Sequence, residues 1–396
     1  MVVGIVAEYN PFHNGHKLQL DYAKNVLKAD TIIVAMSGSF TQRGEIACFD
    51  KYIRAEAALL CGADIILEIP TIFSTSSAKE FAAAGVSLLA ATGVVDTILF
   101  GAESDDVNLF TNSAQKLIEL ESNGTIDNDI KTSLALGETY AVARSKALES
   151  YIPSDLINSP NNILGLEYCR YIKEQGLNMN VAILKRAVNN YNSSELTGKI
   201  SSASAIRAHL NKYGLIEAVP KSLMDIYNNN ISVKADDISE MLHYKLLSTT
   251  DFSKYLDCND DLSDRINKSK EKYISFTQFC DLLKSKNNTY SKISRVLCHI
   301  LLDITWNDFN ELKADGYIKY LRMLGFSKNG STILGEIKKK GTAPLITAPN
   351  EIVYPTDLYS SDIFASDIHR LVMANKTGII HPNEYTRKFN LVNIEN

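Results

Sequence analysis

Two histidines, His13 and His16, flank Gly15 just after the first apolar run of the chain, VVGIVA at 2–7. That run is short, β-branched and bounded by turn residues, which predicts a buried strand. Asn10–Gly15 reads as a loop, and from His16 to Leu27 the apolar spacing predicts a helix. The pair therefore lies where a strand gives way to a helix. Backbone N–H groups at a helix start lack partners, and the helix dipole favours an anion there. Glycine at 15 removes the Cβ that would stand between backbone and ligand. Imidazoles donate to phosphate oxygens. Those residue types in that place point to a phosphate site; the plainer alternative is two surface histidines beside a turn.

The elements that would hold such a turn recur along the first half. Strands are predicted at 29–38, at 65–70 (stopped by Pro70), at 96–103 and at 181–188. Helices are predicted at 51–64, closed by Gly62, and at 77–93, an Ala-rich stretch. Strands alternating with helices predict a doubly wound α/β fold built on a parallel sheet. The loops AEYNPFHNGH, MSGSFTQRGE, EIPTIFST and FGAESDD would then meet at the carboxyl edge of the sheet, where such folds bind ligands. Residues 105–150 read as a helical excursion, 158–176 as a turn and a helix, and 199–210 as a Ser-rich helix start. Beyond about residue 215 helical patterns dominate, broken at Gly316, Gly325, Gly330 and Gly341, with a short strand pair expected near 345–355. The expected organisation is a catalytic α/β domain over 1–215 and a mainly helical region over 216–396.

The chain has 396 residues, 45% hydrophobic and 22% charged, with a net charge of −5. That balance excludes a small, globally basic nucleic-acid binder. An RNA partner would need local basic patches, for which Lys338–Lys340, 265–272 and 284–288 are the candidates. No apolar run nears the roughly 20 residues of a membrane-spanning helix, and no secretory leader is visible. The six cysteines are scattered without a CxxC pair, so reduced thiols in a cytoplasmic protein are expected, and no metal site. His209, His243, His299, His369 and His381 read as structural. Lys51 and Arg54 read as surface charges of an amphipathic helix.

The HNGH stretch after an apolar strand resembles the signature of the HIGH-type nucleotidyltransferase superfamily. ISSASAIR at 200–207 resembles its second signature, a Ser-rich turn ending in Ile-Arg. Together with EYNPFHNGH, MSGSFTQRGE, FGAE, NNILGLEY and LKR, these motifs make the chain similar to the bacterial tRNA(Met) cytidine acetate ligase family over about its first 210 residues. Ala102, where a serine would be unsurprising, is a minor departure.

The resemblance implies a Rossmann-like fold and ATP as substrate, arriving with Mg²⁺. It implies acetate and elongator tRNA(Met) as partners. Acetate would be activated to acetyl-adenylate and passed to the exocyclic amine of the wobble cytidine, giving N4-acetylcytidine. His13 and His16 would stabilise the triphosphate. The segment Ala7, Glu8, Tyr9, Asn10, Pro11, Phe12, His13, Asn14, Gly15, His16, Lys17, Leu18, Gln19 and Leu20 would cradle the nucleotide. Gly101 would let it lie against the backbone, unless it is an ordinary turn glycine. Asn161 would read base or ribose, unless it merely caps a helix. Arg186 would pair with phosphate, unless it is a solvated charge. Ser201, Ser202 and Arg207 of the second signature are further phosphate candidates, and Gln42 and Arg43 are candidates for acetate or RNA. An adenylyl- or cytidylyltransferase acting on a phosphorylated small metabolite fits the same two signatures. The long C-terminal half favours the ligase. A nucleotide-binding RNA adaptor without chemistry would not need both histidines.

Overall fold

The computed structural model describes residues 1–138, 140–186, 203–210, 217–347, 351 and 357–387. Its strands are β1 (Val2–Ala7), β2 (Thr31–Ser37), β3 (Ile65–Ile69), β4 (Thr97–Ala102), β5 (Asn180–Lys185), β6 (Leu321–Phe326) and β7 (Leu345–Ile346). They form one sheet in the order β5-β4-β1-β2-β3-β6-β7. The first five run parallel, with Val2 opposite Thr31, Ile33 opposite Ile65 and Thr97 opposite Asn180. The helices include α1 (Asn14–Asn25), α2 (Lys51–Leu60), α3 (Ala78–Ala91), α4 (Val107–Ser122), α5 (Pro160–Glu174), α6 (Ala203–Ala208), α7 (Tyr290–Leu302), α8 (Leu334–Lys340) and α9 (Asp357–Thr377).

Both faces of the sheet are covered, so its central strands are mostly apolar along their length, with Thr31, Ser37 and Glu68 as the polar exceptions in β2 and β3. Ile32, Val34 and Met36 of β2 pack with Leu20 and Ala23 of α1 and Ala55 and Ala58 of α2. Ile33 and Ala35 face the other way, into the cluster that contains Phe81, Ala84 and Leu88 of α3. This is the doubly wound α/β arrangement expected from the strand–helix alternation.

The C-terminal half also enters the sheet. β6 pairs antiparallel with β3, Ile65 opposite Phe326, and β7 continues beside β6. Of the strand pair expected near 345–355, the described residues hold β7, whose partner β6 lies upstream; residues 348–350 and 352–356 are outside the described set. The sequence LRMLGF, which forms β6, carries no strand signal of its own. A short buried apolar run reads alike as strand or helix, and Gly325 looked like an interruption.

Lys51 and Arg54 are corrected by the structure: both are buried, at 1% and 0% exposure. Lys51 Nζ bonds both Glu68 oxygens, at 2.9 and 2.7 Å, and lies 3.3 Å from Glu384. Arg322, Tyr52 and Ser366 complete the shell around Glu384. Burial alone would raise the Glu384 pKa, yet Lys51 and Arg322 hold it down to about 2. Arg54 spends its guanidinium on main-chain carbonyls, those of Phe49, Glu8, Ser37 and Gly38. The last three belong to the ends of β1 and β2, so this buried fork sets the spacing of two site loops.

Candidate active site

The histidine turn is built from its own side chains. His13 is the N-cap of α1, and its Nδ1 accepts from Gly15 N–H at 3.0 Å. His16 Nδ1 accepts in turn from His13 N–H at 3.2 Å. With both Nδ1 atoms accepting, a neutral ring carries its proton on Nε2. The rings stack at 3.7 Å between centroids and 20° between planes. Burial lowers the His13 pKa to about 3, with Arg186 and Arg207 adding to the effect. Burial and the neighbouring His13 and Arg186 lower that of His16 as well. Both rings are therefore neutral N–H donors at neutral pH. Gly15 has a closer reason to be glycine than the approach of a phosphate. A Cβ there would stand 2.9 Å from His13 Cε1.

The turn is tied to residues beyond 216. Asn14 N–H donates to Ala218 O at 3.0 Å, Asn14 Nδ2 to Glu217 O at 2.7 Å, and Tyr227 OH to Phe12 O at 2.8 Å. Arg207 donates to Asn10 O at 2.9 Å and pairs with Glu45 at 3.3 Å, joining α6 to the loops after β1 and β2.

A cavity of about 380 Å³ opens at this carboxyl edge. Of the expected cradle, Ala7, Glu8, Tyr9, Asn10, His13, Gly15, His16, Leu18 and Gln19 line it, whereas Pro11, Phe12, Asn14, Lys17 and Leu20 do not. Phe12 and Leu20 are core, and Lys17 makes an ion pair with Asp21 one turn on. Gly101, Asn161, Arg186 and Arg207 also line the cavity, with Arg186 Cγ 3.5 Å from where a Gly101 Cβ would be. Asn161 is not the helix cap; Ser159 is. Its Nδ2 donates to Glu103 at 2.7 Å. Ser201 and Ser202 lie outside the described residues. Gln42 and Arg43 join the lining, and Gln42 also bonds Ser76 O at 3.2 Å.

The loop that carries Gln42 and Arg43 is fastened from the C-terminal half. Gly44 O accepts from Ser294 Oγ at 2.7 Å and from Cys298 Sγ at 2.9 Å, both on α7. His369 Nε2 meets Ala47 O at 3.0 Å. Buried His299 bridges Leu256 O and Thr75 O, so both of these histidines serve structure, as expected.

Among the described residues no three His, Cys, Asp or Glu are placed to hold a metal ion, and no helix is long and apolar enough to cross a membrane. All six cysteines are buried and unpaired.

A family profile described as HIGH Nucleotidyl Transferase matches residues 1–381. The tRNA(Met) cytidine acetate ligase of Thermoanaerobacter sp. (strain X514) is 36% identical over 401 residues, covering 96% of this chain and 98% of the relative. The Clostridium acetobutylicum ligase of the same name is 36% identical over 410 residues, covering 99% and 100%. The chain belongs to the tRNA(Met) cytidine acetate ligase family. The crystal structure of Thermotoga maritima TmcAL bound with alpha-thio ATP superposes with a TM-score of 0.89 at 28% identity, covering 99% of this chain and 100% of that one. The apo form superposes at 0.86 with 30% identity, over 94% and 95%.

In this tRNA(Met) cytidine acetate ligase family member, several lining residues carry no site role in the sequence reading, although Phe100, Leu164 and Tyr168 fall within FGAE and NNILGLEY. Phe81, Phe100, Leu164 and Tyr168 form an apolar wall contributed by α3, β4 and α5. Only the packing of three distant elements brings them together. Lys185 was visible beside Arg186 in LKR but carried no separate expectation.

Proposed function

We propose that the chain activates acetate with ATP and acetylates N4 of the wobble cytidine of elongator tRNA(Met). The carrying observation is the pair of neutral Nε2–H donors at a helix N-terminus, in one cavity with Arg186 and Arg207. An acetate oxygen attacks the α-phosphorus, the bond to the β-phosphate oxygen breaks, and pyrophosphate leaves. Charge then grows on phosphate oxygens, where pre-oriented donors lower the barrier most. Neutral imidazoles supply donors without trapping the triphosphate as a tight ion pair. Mg²⁺ would enter on the phosphates of its ATP complex. In the second step N4 attacks the acetyl carbon, AMP departs, and N4 gives up one proton. The C-terminal half supports this reading because it holds the loops rather than standing apart from them.

The test is purified protein with ATP, magnesium and labelled acetate, with and without unmodified tRNA(Met). The expected products are acetate-dependent ATP–pyrophosphate exchange and label in N4-acetylcytidine. Exchange without labelled RNA would move the acceptor elsewhere. Neither product, with nucleotide transfer to a phosphorylated metabolite instead, would replace the ligase by a nucleotidyltransferase.

A further inference from the structure

Glu8 is the sole carboxylate among the described residues that line the cavity. A site that takes a polyanionic nucleotide and a carboxylate substrate is ill served by a negative wall, and a glutamine would cap the loop as well. Glu8 Oε1 accepts from Gln42 N–H at 2.9 Å. No described lysine or arginine forms an ion pair with it. Its backbone is fixed by Arg54, which donates to Glu8 O at 2.7 Å. The carboxylate is thus held in place with its other oxygen without a hydrogen-bond partner among the described residues.

The sheet order tells which reactant meets it. Gly101 lies near the end of β4 and Arg186 follows β5, so these two expected nucleotide contacts lie to one side of β1, while Arg207 reaches the loops after β1 and β2 through Asn10 and Glu45. Glu8 follows β1 itself, and Gln42 and Arg43 lie after β2, on the other side. The histidine pair also follows β1, at the start of α1, and lines the same cavity. A reactant approaching the activated acyl group from the β2 side meets Glu8. Carboxylates are the side chains that accept from the exocyclic amine of cytosine.

We infer that Glu8 receives the cytidine amine: its free oxygen accepts one N4–H and takes that proton as N4 bonds to the acetyl carbon. The C–O bond to AMP breaks in the same step, and Glu8 then returns the proton to solvent. This assignment rests on the ligase reading above. Burial raises the Glu8 pKa, against the pull of Arg43, Arg207 and the Gln42 N–H; Glu45 adds to the rise. The other titratable or charged groups around it are Arg54 of α2, Tyr168 of α5, and His13 and His16 at the start of α1. A raised pKa suits a base that must hold a proton briefly near neutral pH.

The experiment separates the two half-reactions in the full-length protein: ATP–pyrophosphate exchange with acetate, and single-turnover transfer to unmodified tRNA(Met). Glu8→Gln keeps an acceptor for Gln42 N–H but removes the base. Its transfer rate is expected to fall by about 10²-fold or more. Exchange should fall far less, so that the ratio of the two rates drops. The wild-type transfer rate should decline as pH falls through the raised Glu8 pKa. That limb should vanish in Glu8→Gln and return with partial activity in Glu8→Asp. Transfer at the wild-type rate in Glu8→Gln, or exchange and transfer falling together, would overturn the assignment. Absence of exchange and transfer in the wild type would instead overturn the ligase reading.

Discussion

At the scale of single residues, the proposed function gives the rings of the histidine turn a second job. Nδ1 of each ring accepts a backbone N–H at the helix start, and in that proposal Nε2 of each meets the ligand, so capping and chemistry can be separated by substitution. Asparagine is among the best N-caps. His13→Asn should therefore keep the free energy of unfolding within about 1 kcal/mol of wild type, yet lower acetate-dependent exchange about 10²–10³-fold, the cost of one lost donor to a developing negative charge. A second check is nitrogen-15 resonances of the two rings. Because both pKa values lie below the ordinary 6.5, the rings should stay in the neutral Nε2–H form from pH 8 down to 5.5. Titration near 6.5, or protons on Nδ1, would contradict the geometry. This part of the site was legible because HNGH is local: a few consecutive residues make the whole arrangement. The separate standing of Glu8 was not, since its meaning depends on which loop lies opposite it, and that is decided by strand order.

At the scale of elements, the amphipathic helix at 51–60 was legible, but the burial of its charges was not. Lys51 is inside because Glu68 of β3 and Glu384, more than 300 residues later, meet it there. A pattern read within one helix cannot contain that information. Lys51→Met leaves two buried carboxylates short of a cation and should cost about 3–5 kcal/mol in chemical denaturation. Gly44 is a second case. Its φ of +75° and a would-be Cβ 2.2 Å from Arg295 N forbid a side chain. Gly44→Ala should lower stability by more than about 1 kcal/mol and depress acetylation further than that loss of folded protein accounts for, because the loop bearing Gln42 and Arg43 is displaced. Comparing specific activity with the folded fraction checks it.

At the scale of the whole molecule, the sheet has a working edge and a far edge. The cavity gathers at the carboxyl ends of β1, β2, β4 and β5. The Lys338–Lys340 run lies beyond the opposite ends, where Lys340 O approaches Gly93 ahead of β4 and Thr342 N–H donates to Ala91 O at 2.9 Å. Lys340 also pairs with Glu336 at 2.7 Å. Changing all three lysines to glutamate should leave the salt dependence of tRNA acetylation within about one unit of slope; a larger change would bring this edge into the RNA footprint. The doubly wound sheet was legible from the alternation of strands and helices, while β6, as long as β1, was hidden because its apolar run stands alone among helical patterns and carries Gly325. That strand has a consequence for descent. Cut near residue 215, the first half would expose β3 as a bare edge, an invitation to pair with other chains, and would lose the anchors at Ala218, Ser294 and His369. Recombination between related genes at that midpoint would splice loops to anchors that never adapted to one another. The two halves should therefore travel through evolution as one inherited unit, and chimaeras joined there should misfold more often than those joined at surface loops of either half.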